Sequence, residues 1–83
     1  MKLEIISPEG IVYQGETDRV SLPGEEGGFD VLPHHAPLIA ALGEGAIRYG
    51  RGKEEREMKI RGGFVEVKED TISACIEPAP SND

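Results

Sequence analysis

Val65-Glu66-Val67-Lys68 and, after a three-residue gap, Ile72-Ser73-Ala74-Cys75-Ile76 alternate apolar with small or polar side chains at a period of two. Successive side chains on a strand point to opposite faces, so each run offers one apolar face to a core. Working outward, the same period returns in Met58 and Ile60 set among Glu57, Lys59 and Arg61. Ile47 and Tyr49 alternate with Ala46 and Arg48, Val20 and Leu22 with Arg19 and Ser21, and Leu3 and Ile5 with Lys2 and Glu4. Residues 11–14 and 29–32 make two further short runs. Ser7-Pro8-Glu9-Gly10 reads as a turn, and Pro23-Gly24 closes the run before it. Helix has almost no room. Leu38-Ile39-Ala40-Ala41-Leu42 is held between Pro37 and Gly43 and reads as strand or turn. Many short strands separated by glycine and proline predict an all-β fold, an antiparallel β-sandwich of roughly eight to ten short strands over residues 1–77. Residues 78–83, with Pro78 and Pro80, read as a polar, disordered tail.

Composition limits what such a domain does. Eighty-three residues host one core, and the 9 basic against 16 acidic side chains leave a net charge of −7. That balance argues against a nucleic-acid backbone or an anionic lipid surface as partner, and it steers in partners carrying Arg or Lys. The longest uncharged stretch, residues 31–43, is 13 residues and is broken by Pro33 and Pro37, too short to span a membrane. The N-terminus reaches Glu4 without the apolar run of a signal peptide. A single cysteine, Cys75, makes no internal disulfide and suits a reducing, cytoplasmic setting.

The candidate chemistry is sparse. His34 and His35 are neighbours, which regular strand geometry sends to opposite faces, and no ligand-spaced Cys, His or carboxylate accompanies them, so no metal site is expected. Cys75 has no adjacent histidine or base to lower its pKa and reads as a sheet residue. Gly24-Glu25-Glu26-Gly27-Gly28 resembles a phosphate loop only in its glycines. It lacks the Lys-Ser/Thr ending and a following helix, and its carboxylates repel phosphate. Glu25 and Glu26 read instead as a solvated or protein-docking loop. No catalytic residue, cofactor or small-molecule substrate is expected. One alternative comes from Glu57-Met58-Lys59-Ile60. Biotinyl and lipoyl carrier domains are small acidic sandwiches with a modified lysine in a comparable setting, though at a hairpin tip, whereas Lys59 falls inside an alternating strand pattern. An independent ligand-binding sandwich is the other alternative.

The middle of the chain is more specific. Leu22-Pro23-Gly24, Glu26-Gly27, Val31-Leu32-Pro33 and His35-Ala36-Pro37-Leu38 together resemble the signature of the epsilon subunit of F-type ATP synthases. Residues 1–9 are similar to that family's opening strand, and Gly62-Gly63-Phe64-Val65-Glu66-Val67 to its late Gly-Gly hairpin, so the resemblance extends to about residue 77. Two positions depart: Asp30 and His34 stand where the family usually has glycine. If those glycines adopt positive φ, Asp and His are among the residues that best tolerate it. Family members commonly continue into an α-helical hairpin. This chain ends in Pro-Ala-Pro-Ser-Asn-Asp, with no helix start, and is either a naturally short form, the favoured reading, or a trimmed one.

The resemblance implies a non-catalytic rotor subunit in the central stalk. Such a subunit binds gamma and the c subunits of the membrane rotor ring, and it couples proton flow to ATP synthesis. It would sit peripherally on the cytoplasmic side of the bacterial inner membrane, without inserting. Rotor loops resembling the family's present basic and amide groups. The expected ring-facing residues are therefore Glu25, Glu26, Gly27 and Gly28, with His35 facing the same contact or simply bracing the turn between Pro33 and Pro37.

Overall fold

One long strand organises the molecule. In the computed structural model, which describes residues 1–80, β7 (Arg56–Lys68) serves two sheets. The others are β1 (Lys2–Ser7), β2 (Gly10–Glu16), β3 (Arg19–Leu22), β4 (Phe29–Val31), β5 (Leu38–Leu42), β6 (Gly45–Gly50) and β8 (Thr71–Pro78), with no helix among the described residues. The first half of β7 pairs β6, from Tyr49↔Arg56 to Gly45↔Ile60, and its second half pairs β5, from Leu42↔Gly63 to Leu38↔Val67. β5 and β6 therefore run along the same edge of β7 as one strand interrupted at Gly43-Glu44.

Opposite that interruption β7 turns a corner. Its pairing with β8 slips between Ile60 and Gly62, and Gly63 has φ +148°, a conformation that L side chains rarely adopt. A Cβ on Gly63 would also collide with the Cys75 backbone. Sandwich corners are commonly made by strands that switch sheets at such bulges. One layer is thus β5–β7–β8–β1–β2 and the other β7–β6–β3–β4. The two runs that opened the sequence reading are the second half of β7 and β8. They are joined by a hairpin whose central residues, Glu69 (φ 52°) and Asp70 (φ 61°), both take the positive φ of a type I′ turn.

The fold is the expected all-β sandwich with eight strands, and one detail differs. β1 and β8 pair in parallel, Leu3↔Ile72 and Ile5↔Ala74. Each already uses its other edge for a hairpin, with β2 and β7, so their mutual direction is not set by a short connection. Leu38-Ile39-Ala40-Ala41-Leu42 is strand. β8 runs to Pro78, paired with Ile60, and Ala79 N–H donates to the Lys59 carbonyl at 3.1 Å. The expected tail boundary at residue 78 therefore falls on backbone that is still paired, and 81–83 lie outside the described residues.

Inward-facing positions fill one core: Leu3, Ile5, Val20, Leu22, Val31, Leu42, Ile47, Ile60, Val65, Val67, Ile72, Ala74 and Ile76 are all buried. At the end away from the corner, Tyr13 of β2 meets Tyr49 of β6 with ring centroids 4.6 Å apart, and Arg56 sits 5.9 Å over the Tyr13 ring. Burial first, and then the neighbouring Tyr13, push the Tyr49 hydroxyl pKa up, against a smaller lowering by Arg56. The buried Thr17 hydroxyl accepts Gly50 N–H at 3.0 Å and lies within 2.8 Å of the Gly50 and Arg19 carbonyls, tying the strand crossover into β6.

Candidate functional site

The acidic loop is a built turn. Gly27 N–H donates to the Gly24 carbonyl at 3.0 Å, which places Glu25 and Glu26 at the two central positions with their side chains exposed. Gly24 is required there, since a Cβ would come within 2.6 Å of the Gly27 carbonyl and 2.9 Å of the Phe29 ring. Glu25 N–H donates to Ala41 O at 3.0 Å, and Gly43 N–H to Pro23 O at 2.8 Å. These bonds pin the loop along the last residues of β5. Gly27 and Gly28, also exposed, complete it. No ion pair among the described residues involves Glu25 or Glu26.

His35 lies elsewhere. Its N–H donates to Leu32 O at 3.2 Å, closing a turn with Pro33 and His34 at the centre, and the His35 ring Nδ1 is 2.7 Å from Ala36 O. This loop precedes Leu38, whereas the acidic loop docks at Ala41 and beyond. The length of β5, about 13 Å at ~3.3 Å per residue, separates them. Glu25, Glu26, Gly27 and Gly28 are brought together. No hydrogen bond among the described residues joins His35 to them.

The two departures from glycine resolve differently. His34 has φ 67° and occupies the second central position of a Pro-led turn, where positive φ is required. Its N–H donates to the Asp70 carboxylate at 3.0 Å. That bond, ahead of an opposing desolvation effect and an assisting N-terminal amine, holds the Asp70 pKa below its ordinary value. Asp30 carries no positive φ. It is an extended residue of β4 opposite Ser21, whose hydroxyl donates to its carboxylate at 2.6 Å. Lys59 lies mid-strand in β7 opposite Ala46, not at a turn. Among the described residues no group of three or more His, Cys, Asp or Glu side chains is placed to hold a metal.

A second surface was not foreseen. Across the outer face of the β5–β7–β8–β1–β2 sheet, Ala41, Phe64, Cys75, Ile6 and Ile11 are successive register partners. Phe64 is 64% exposed and Ile11 60%. This is an apolar row crossing five strands. Each of Ile6, Phe64 and Cys75 breaks the strict alternation by standing beside an inward-facing apolar neighbour, and that was the available signal.

The described residues thus form a small all-β sandwich with an exposed acidic turn and an apolar row on one outer face. The family model of the ATP synthase Delta/Epsilon chain beta-sandwich domain matches residues 1–80, and the chain belongs to that family. It is 45% identical over 73 residues to the ATP synthase epsilon chain of Leptospira borgpetersenii serovar Hardjo-bovis (strain JB197), covering 88% of this chain and 58% of that one. It is 38% identical over 79 residues to the epsilon chain of Alkalihalophilus pseudofirmus, covering 95% and 59%. The chain thus spans less than two thirds of the length of these relatives. Its fold is that of a chain in the Euglena gracilis mitochondrial ATP synthase, with a TM-score of 0.83 at 19% identity over 89% of this chain and 48% of that one. A chain from the Tetrahymena thermophila mitochondrial ATP synthase central stalk and c-ring superposes with a TM-score of 0.77 at 15% identity, covering 93% and 63%.

Proposed function

We propose that this domain is a non-catalytic part of the central stalk of a proton-translocating F-type ATP synthase. It is clamped to gamma by the apolar outer face and rests on the membrane rotor ring through residues 24–28. In that place it transmits torque between proton flow and ATP synthesis, peripherally on the cytoplasmic side of the bacterial inner membrane. No helix among the described residues is long and apolar enough to cross a membrane.

The observation that carries the reading is the apolar row from Ala41 to Ile11. A long-lived attachment that must bear torque is best made by desolvated apolar contact anchored by an aromatic, and Phe64, one step from the Ala41 end of the row, supplies it. The acidic turn suits the other contact. Exposed carboxylates add little affinity but fix orientation and speed encounter with basic and amide groups.

Binding of the purified chain to gamma, and to a gamma–ring complex, tests both contacts. Phe64→Asp is expected to lose gamma. Reversing Glu25 and Glu26 to Lys is expected to leave gamma binding intact and weaken ring attachment, more so at low salt where screening is slight. Normal gamma binding by Phe64→Asp would remove the face from the account.

A further inference from the structure

Backbone strain in this chain is collected in one place. Among the described residues, the non-glycine residues with positive φ are His34 (67°), Glu69 (52°) and Asp70 (61°). All three lie where the loop between β4 and β5 meets the β7–β8 hairpin. Such angles are uncommon outside glycine and persist only where the surrounding structure holds them. The hairpin holds its own pair, since a type I′ turn requires both angles. His34 has less support. Residues 32–37 are all exposed, so burial does not fix the turn, and its other bonds are local, from His35 N–H to Leu32 O and between His35 Nδ1 and Ala36 O. Among the described residues, one hydrogen bond ties residues 32–36 to a distant part of the chain. It runs from His34 N–H to the Asp70 carboxylate, 36 positions away, at 3.0 Å.

We infer that Asp70 is a latch: its carboxylate holds the loop of residues 32–36 against the β7–β8 hairpin in a strained turn that relaxes when the bond is broken, while the sandwich stays folded. The latch has a firm base. Asp70 O accepts Lys2 N–H at 3.0 Å, and the carboxylate lies 3.8 Å from the Met1 amine, so the hairpin is fixed to the start of β1. Glycine at position 34 would take the same φ without strain and would need no such bond. The latch therefore belongs to a chain with His34 at that position. Closed, it presents His35 and the 57% exposed Leu32 in one orientation, so a partner meeting this end of the sandwich finds the loop already ordered.

The test is residue-resolved amide hydrogen exchange on the full chain, comparing wild type with Asp70→Gly, His34→Gly and the double variant. Asp70→Gly keeps the positive φ of the hairpin and removes the carboxylate, and a melting curve verifies the fold. Exchange at the His34 and His35 amides is expected to rise at least about tenfold, with the amides of β7 and β8 unchanged. Asp70→Asn, which removes only the charge, should give a smaller rise at the same two amides. His34→Gly alone should change little. In the double variant the turn is free of strain, so the His35 amide should regain wild-type protection while that of residue 34 stays fast. Unchanged exchange at His34 and His35 in both Asp70 variants would overturn the latch, as would a rise spread evenly over the strands. A rise confined to Lys2 and Thr17 would show that the carboxylate serves the Met1 amine instead. No recovery at His35 in the double variant would remove strain from the account and with it the inference.

Discussion

The two outer faces of this sandwich are built from the same strand pattern and finished in opposite ways. On the β7–β6–β3–β4 sheet the row Asp30, Ser21, Arg48 and Glu57 runs across four strands, again as register partners. Every member is paired: Ser21 donates to Asp30 at 2.6 Å, and Arg48 Nε to Glu57 at 2.9 Å. The corresponding row on the other sheet is Ala41, Phe64, Cys75, Ile6 and Ile11. Cross-strand partners satisfied by one another need nothing further, whereas an exposed apolar row costs solubility unless it is covered. The difference marks which face is meant to stay in water. It also explains how 83 residues with a net charge of −7 still carry a sticky surface, because the charge is concentrated elsewhere.

The contrast depends on β7 delivering one half of itself to each sheet, and this gives the largest expected effect. Gly63→Ala forces a Cβ into the Cys75 backbone at φ +148°. A loss of about 3 kcal/mol or more is expected in urea unfolding, enough to threaten folding of a domain this small. A loss under about 1 kcal/mol would mean the corner relaxes freely and the sheets are not rigidly related.

Next come matched truncations of the two faces. Phe64→Ser should cost about 2 kcal/mol or more in binding to gamma by calorimetry, with folding stability almost unchanged because the ring is already in water. Arg48→Ser on the other face should change gamma binding by less than about 0.5 kcal/mol. Equal effects would erase the distinction between the faces. Smaller still is the Arg48–Glu57 pair itself. Both side chains are substantially exposed, so a double-mutant cycle should give a coupling of only ~0.2–1 kcal/mol, decreasing with salt.

Most of the architecture was legible in residues 58–76, where alternation marks three runs, although the first two are one continuous strand, β7, bent at Gly62-Gly63 where the resemblance suggested a hairpin. The inward half of the core followed directly, since Leu3, Ile5, Ile60, Val65, Val67 and Ile72 all occupy the expected phase. The parallel β1–β8 pair was not legible, because alternation states which face a residue takes and says nothing of strand direction. The acidic turn was identifiable from its glycines and carboxylates. The separation of His35 from it was not, because only three residues of sequence lie between Val31 and His35 and hide the fact that β4 carries the chain away from the loop before β5 returns along it. The apolar outer row escaped for a different reason. Its members lie on five strands and become neighbours only through register, so Ile6 and Cys75 each looked like a minor lapse in alternation.

The smallest effect concerns the end of the sandwich where His34 meets Asp70. The folded-state pKa of Asp70 is lowered, so its contribution to stability is present above the ordinary aspartate value near ~4 and fades as pH falls through the lower folded value. Asp70→Asn tolerates the same positive φ and should remove that dependence, giving a flatter stability profile below about pH 4 and little change at pH 7. A variant with the wild-type acid profile would show that the His34 bond contributes nothing through charge.

Cys75 offers the most direct test of the contrast between faces, because the only thiol of the chain is exposed in the middle of the apolar row, between Phe64 and Ile6. The measurement is its alkylation rate by a maleimide in the isolated chain and in the chain bound to gamma. The account predicts rapid labelling of the free chain and at least about tenfold protection once gamma is bound, since apolar contact across the row would exclude the reagent. Equal labelling rates in the two states would contradict it and leave the apolar face without its partner.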